Sequence, residues 1–226
     1  MFTGISELAM PRETNLTKAA RVRRIIAGLK QAYPDAHCEL NFSNPLQLLV
    51  ATILSAQCTD KQVNLVTAKL FPKYRTAADY AQANPDGFMA DIRRIGLYRN
   101  KAKHIQAACG TLIQKHGGEV PRTMEELTAL AGVGRKTANV VLGNAFGLNH
   151  GVVVDTHVAR LSARLGLTTE TTPEKIELAL QPLVPREQWA QFSHWLIWHG
   201  RRRCSARNPD CANCEIKTLC PRIGLG

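Results

Sequence analysis

Apolar and polar positions alternate along most of this chain with the 3.6-residue period of amphipathic helices. Thr17 to Tyr33 sets Val22, Ile25, Ile26 and Leu29 on one face of a basic helix. Asn44 followed by Pro45 is a cap-plus-proline start, and the apolar run LQLLVATIL behind it predicts a central helix. Asp60 to Phe71 reads as the next helix. Asn84-Pro85 repeats the start signal, and a helix over Lys101 to His116 is stopped by Gly117-Gly118. Thr123 and Glu126 have capping-box spacing and open a short helix ending near Leu130. A tight Gly132-Val133-Gly134 turn precedes a helix from Arg135 to about Phe146. Asp155 caps a helix reaching Leu165, which Gly166 stops, and Thr172-Pro173 caps another. The last long helix runs from about Glu187 to His199, with Trp189, Trp195 and Trp198 as core residues. Only Gly151 to Val154 resembles a strand, and four residues make no sheet. The expected class is all-α, with a tail over residues 1–16 and neither internal repeats nor a low-complexity linker.

Composition narrows the class. With 226 residues, 45% hydrophobic and 21% charged, the chain suits a soluble globular protein of one large or two small domains. No window approaches the roughly 18 apolar residues of a membrane span. Met1 to Lys18 lacks the apolar stretch of a secretory signal. The expected location is therefore the cytoplasm, in association with the nucleoid. Lys plus Arg number 29 against 18 Asp plus Glu, a formal charge of +11. Such a surface attracts phosphate polyanions and speeds their encounter.

Two segments carry chemistry. Around Gly132-Val133-Gly134, two helices meet at a glycine turn, where positive φ and close backbone approach are allowed. Successive amides and the N-terminus of the second helix form an anion site, with Arg135 and Lys136 beside it. That is what a sequence-independent grip on a DNA phosphate requires; a plain helical hairpin would use the same residues. The second segment is the cysteine cluster. Cys38, Cys58 and Cys109 are scattered, whereas Cys204, Cys211, Cys214 and Cys220 follow a C-x6-C-x2-C-x5-C spacing. An odd cysteine count without a secretory signal points to metal rather than disulfides. Four thiolates suit either tetrahedral zinc or an iron–sulfur cluster.

LAGVGRKTANVVL, together with LLVATILSAQCTD at 48–60, IGLYRNKA at 95–102, VVVDTHVAR at 152–160 and the cysteine cluster, resembles the endonuclease III family of helix–hairpin–helix DNA glycosylases. The resemblance runs from Leu40 to Cys220. It implies a bifunctional enzyme that excises oxidised or ring-saturated pyrimidines from double-stranded DNA and cleaves abasic sites, acting as a monomer. Lys136 matches the family's catalytic lysine, a nucleophile at the sugar C1′ that leaves a Schiff base and permits β-elimination. Its place in the first turn of a helix disfavours the ammonium form. Asp155 matches the catalytic aspartate, which stabilises positive charge on the sugar and helps activate the amine or a water. Gly132, Val133, Gly134 and Arg135 would hold a phosphate, and Gln57 and Leu97 would wedge into the gap left by the flipped base. Cys58 reads as a small packing residue. The four clustered cysteines would hold a [4Fe–4S] cluster with a structural role. Arg207 lies in the loop this closes, which is less basic than the family's usual loop; Arg201, Arg202 and Arg203 would compensate. The resemblance also implies two lobes around the DNA, with Lys136 and Asp155 facing across the cleft. Residues 38–149 would form a six-helix barrel, and residues 17–37 with 150–226 an iron–sulfur domain. The competing readings are a glycosylase for mismatched adenine or thymine and a non-catalytic DNA-binding iron–sulfur protein. Lys136 and Asp155 together favour an enzyme, because binding needs neither.

Overall fold

The structure, a computed structural model, describes residues 13–225. Among these are eleven α-helices and no strand. In order they are α1 (Asn15–Ala32), α2 (Pro45–Ser55), α3 (Asp60–Lys73), α4 (Ala77–Ala81), α5 (Pro85–Asp91), α6 (Tyr98–His116), α7 (Met124–Thr128), α8 (Arg135–Ala145), α9 (Thr156–Arg164), α10 (Pro173–Leu180) and α11 (Trp189–Arg202). No described helix is long and apolar enough to cross a membrane.

The apolar stripes close into two cores. The first gathers residues from Leu40 to Leu142 around α2, in which every residue from Leu48 to Leu54 is buried. Burying an aliphatic side chain there stabilises by roughly 1.5–3 kcal/mol, so α2 is the pillar of this half. The second joins Val22, Ile25, Ile26 and Leu29 of α1 to Val152, Val154, α9, α10, α11 and Ile216. Trp195 and Trp198 belong to it, while Trp189 is only partly covered.

Local signals explain most helix starts. The Asn44 side chain accepts the Gln47 amide at 2.9 Å, with Pro45 at the first helical position. Gly117 adopts φ 60° and ends α6. Two starts and the bonding of two caps differ from expectation. Helix α1 begins at Asn15 under a Thr14 cap, so Asn15 and Leu16 are helical rather than tail; residues 1–12 of the expected tail lie outside the described residues. Helix α6 begins at Tyr98, before Lys101, because Leu97 takes up the cap position with φ 58°. Thr172 caps α10 without a side-chain hydrogen bond. Thr123 accepts the Glu126 amide, but the Glu126 carboxylate takes the Thr123 hydroxyl rather than its amide. Helix α4 carries a complete Thr76–Asp79 capping box in a five-residue helix too short to show a period.

Candidate active site

Lys136 and Asp155 line the same cavity of about 120 Å³ between the two cores. Lys136 is the second residue of α8 and is exposed. Asp155 is placed by what precedes it. Val152, Val153 and Val154 are buried, the Val153 amide donates to Ser193 Oγ at 3.0 Å, and the chain then turns into α9. Asp155 Oδ1 caps that helix by accepting the Val158 amide at 2.8 Å. Two residues after Asp155, His157 Nδ1 lies 3.1 Å from Arg160 Nη2, and burial lowers the imidazole pKa. Arg160 also donates to the carbonyls of Gly200 and Cys204. His157 is thus a packing partner of the α9–α11 contact.

The two glycines of the turn have different reasons. Gly132 has φ 75°, and a Cβ there would meet His104 Cβ at 2.8 Å, so conformation and packing both require glycine. Gly134 caps α8 at φ −91° and ψ 175°, which any residue adopts, and a Cβ would meet nothing within 4 Å. Its bareness leaves open space before the first-turn amides of α8, the arrangement an anion requires.

The other two residues expected at the phosphate are already engaged within the protein. Val133 is buried, and its amide donates to the Leu130 carbonyl at 3.2 Å, so it anchors the turn. Arg135 forks onto Glu177 of α10, Nε to Oε2 at 2.8 Å and Nη2 to Oε1 at 3.0 Å. The Glu177 side chain is only 6% exposed and also takes Asn139 Nδ2 at 3.1 Å. Gly151 makes room for it, since a Cβ at that position would overlap Glu177 Oε1. Sequence reasoning missed Glu177. The available signal was a carboxylate between Ile176 and Leu180 on an otherwise apolar stripe.

Gln57 and Leu97 share an unusual state. They are two of the three described non-glycine residues with positive φ, at 54° and 58°. Both are exposed, and Leu97 keeps 59% of its surface in solvent. A left-handed leucine costs roughly 1–2 kcal/mol, and such strain gathers at functional sites. The two loops abut, because a Cβ on Gly96 would lie 3.7 Å from the Gln57 carbonyl.

Cys204, Cys211, Cys214 and Cys220 line one cavity beside α9 and α11. Arg164 organises the loop, donating to Cys204 Sγ at 3.2 Å and to the carbonyls of Ser205 and Ala206 at 2.7 Å each. His199, Cys214 and Glu215 each bring one ligand-type atom within 4.8 Å of the others. The remaining thiols do not join the four cysteines. Burial pushes Cys38 up to about 11 and Cys109 up to about 12, and Cys58 packs against the first core.

Arg207 is exposed on the loop. Of the three arginines before it, two are already paired with carboxylates. Arg201 pairs with Glu39 and, at 2.7 Å, with Asp60; Arg203 pairs with Asp210 at 2.6 Å and Glu215 at 2.8 Å. Arg202 lies 3.7 Å from the Trp198 ring centre. Arg201 and Arg203 thus hold neighbouring segments together, whereas Arg202 keeps its exposed charge.

Residues 50–186 match the model of the HhH-GPD superfamily of base excision DNA repair proteins. Endonuclease III of Synechocystis sp. is 51% identical over 205 residues, covering 91% of this chain and 94% of the relative. A solved non-covalent endonuclease III–DNA complex superposes with a TM-score of 0.85 at 47% identity, covering 90% of this chain and 95% of that one. A trapped covalent endonuclease III–DNA intermediate gives the same score and identity, covering 90% of this chain and 96% of that one. With its turn, its cleft and its cysteine loop arranged in this order, the chain belongs to the endonuclease III family of the HhH-GPD superfamily.

Proposed function

We propose that this protein repairs duplex DNA as a bifunctional glycosylase and abasic-site lyase, with oxidised or ring-saturated pyrimidines as its bases. The observation that carries this reading is the placement of Lys136 and Asp155 on one cavity, beside a turn whose amides face open space. The amides of Gly134 and the first turn of α8 hold a phosphate next to the lesion. Gln57 and Leu97 enter the duplex as the damaged nucleotide leaves the stack. Lys136 is exposed in the free protein and so open to the DNA. The neutral amine attacks C1′ and the base departs with the bonding electrons. Asp155 stabilises the positive charge that develops on the sugar, its carboxylate fixed by the bond to Val158. Loss of a proton and ring opening give the Schiff base; removal of a C2′ proton then expels the 3′ phosphate.

Cys204, Cys211, Cys214 and Cys220 suit a [4Fe–4S] cluster by donor type and spacing. Bound there, it supplies folding energy to a loop otherwise held by arginine–carbonyl bonds. Arg207 meets the DNA backbone from this loop, and the exposed edge of Arg135 lies beside the phosphate. The two cores support a division into a barrel over residues 38–149 and a cluster domain from residues 17–37 and 150–226. The protein works as a monomer on DNA in the cytoplasm, at the nucleoid.

Borohydride trapping tests the chemistry. Lys136→Gln should abolish trapping and slow strand cleavage at least ~100-fold while duplex binding persists. Asp155→Asn should cripple base excision yet still trap on a pre-formed abasic site. Normal trapping by Lys136→Gln would assign the nucleophile to another amine.

A further inference from the structure

Lys101 is a lysine with 5% exposure, and the chemistry above does not use it. Its Nζ donates to the Leu54 carbonyl at 2.9 Å and the Ala56 carbonyl at 2.5 Å. These acceptors are the C-terminal end of α2 and the residue immediately before Gln57. Helix α2 has no basic residue in its own last turn. Lys101 therefore supplies, from α6, the cation that the negative end of that helix favours. Its backbone points the other way in function, because the Lys101 amide donates to the Leu97 carbonyl at 3.1 Å. Its side chain thus fastens the chain one residue before Gln57, while its amide makes the first helical bond of α6 to Leu97, so one residue sits between the two left-handed positions.

We propose that Lys101 is the positioning residue of lesion extrusion, pinning the Gln57 loop to the start of α6 so that both wedges meet the duplex as one rigid unit. The inference rests on Gln57 and Leu97 acting as the wedges. Without the ammonium, the α2 end loses two bonds, and the strain at Gln57 drives its loop toward an ordinary conformation. Lys101 never touches DNA in this scheme.

The test is single-turnover kinetics with the complete, metal-loaded protein. A duplex carrying a ring-saturated thymine opposite adenine is compared with the same duplex carrying a pre-formed abasic site, where no base must leave the stack. Lys101→Met should slow excision of the paired lesion between about 10- and 100-fold, the scale of a small misplacement. Cleavage at the abasic site should change less than about 2-fold by the same reasoning. Lys101→Gln keeps one donor and should fall between; it carries the comparison if the methionine variant is insoluble. In a Gln57→Ala background, Lys101→Met should add little, because the loop it holds no longer carries a wedge. Equal losses on both substrates, or fully additive effects in that cycle, would overturn the proposal and leave Lys101 a general stabiliser. Gln57→Ala and Leu97→Ala alone test the wedges: if both excise the paired lesion normally, the wedge reading itself fails. If they are slow and Lys101→Met is not, only the role of Lys101 fails.

Discussion

Replacing Arg135 separates two roles that the same residue could play. Its guanidinium joins α8 to α10 across the two cores, and its partner Glu177 has a side chain only 6% exposed. Arg135→Ala removes two charge-assisted bonds and leaves a carboxylate with Asn139 at 3.1 Å and Gln181 at 3.5 Å. Breaking a buried pair from one side costs about 3–5 kcal/mol. The arginine side chain is 44% exposed and Asn139 remains in place, so the lower figure applies, about 3 kcal/mol. For a protein of this size that lowers the melting temperature by roughly 6–12 °C. A phosphate contact would behave differently: it would leave stability unchanged and reduce the salt dependence of duplex binding by about one counterion. Thermal unfolding and a salt titration of duplex affinity on the same preparation decide between them. Gly151→Ala is the internal control, because it displaces Glu177 without touching the DNA face, and it should destabilise similarly. Unchanged melting of Arg135→Ala with a shallower salt slope would refute the latch and leave Arg135 a phosphate contact alone.

Acid should loosen the contact between α8 and α11. Asn144 donates to the Val140 carbonyl through Nδ2, so its Oδ1 accepts from His194 Nε2 at 2.6 Å. Burial, with a smaller contribution from His37, pushes His194 down to about 4. The unfolded chain takes up this proton near 6.5 and the folded one does not until about 4. Stability is therefore complete above that window and falls as pH drops through it, by on the order of 3 kcal/mol at most. Urea midpoints at several pH values should show this slope, and His194→Gln should flatten it; an unchanged slope would refute the assignment. Replacing any one of Cys204, Cys211, Cys214 or Cys220 by Ser should reduce soluble yield and the visible absorption expected of an iron–sulfur cluster. Metal analysis of the parent chain should return iron, about four atoms per chain, and one zinc without iron would contradict the cluster.

What could be read from the sequence was local. The Asn44–Pro45 start, the Asp155 cap and the Gly117 stop each depend on residues within one turn, and each is where spacing placed it. Helix α4 escaped notice because five residues show no period and its stability comes from packing on α6. The engagement of Arg135 was hidden for a different reason, since its partner lies 42 residues away on another helix. Likewise, the strained states of Gln57 and Leu97 follow from contacts between distant loops. The sequence treats Gly132 and Gly134 alike, yet one is required by protein packing and the other faces open space. Chemistry for Lys136 came from family likeness. Spacing alone says only that a lysine stands near a helix start.

The second core also has a bearing on how the molecule is made. Its first helix and its last residues are neighbours: Arg21 of α1 donates to the carbonyls of Leu165 and Leu219, and Gln191 reaches back to Ala36. The first core, by contrast, draws on one unbroken stretch from Leu40 to Leu142. During translation that stretch can collapse as soon as it clears the ribosome, since domains generally fold as units in the order of synthesis. Helix α1 emerges earlier, but the other helices of its core begin only after Val152. Its stripe of Val22, Ile25, Ile26 and Leu29, fully or nearly fully buried in the finished protein, is covered only once those segments have been made. The two cores thus form on different schedules, the first from neighbouring sequence and the second by closing a loop around it.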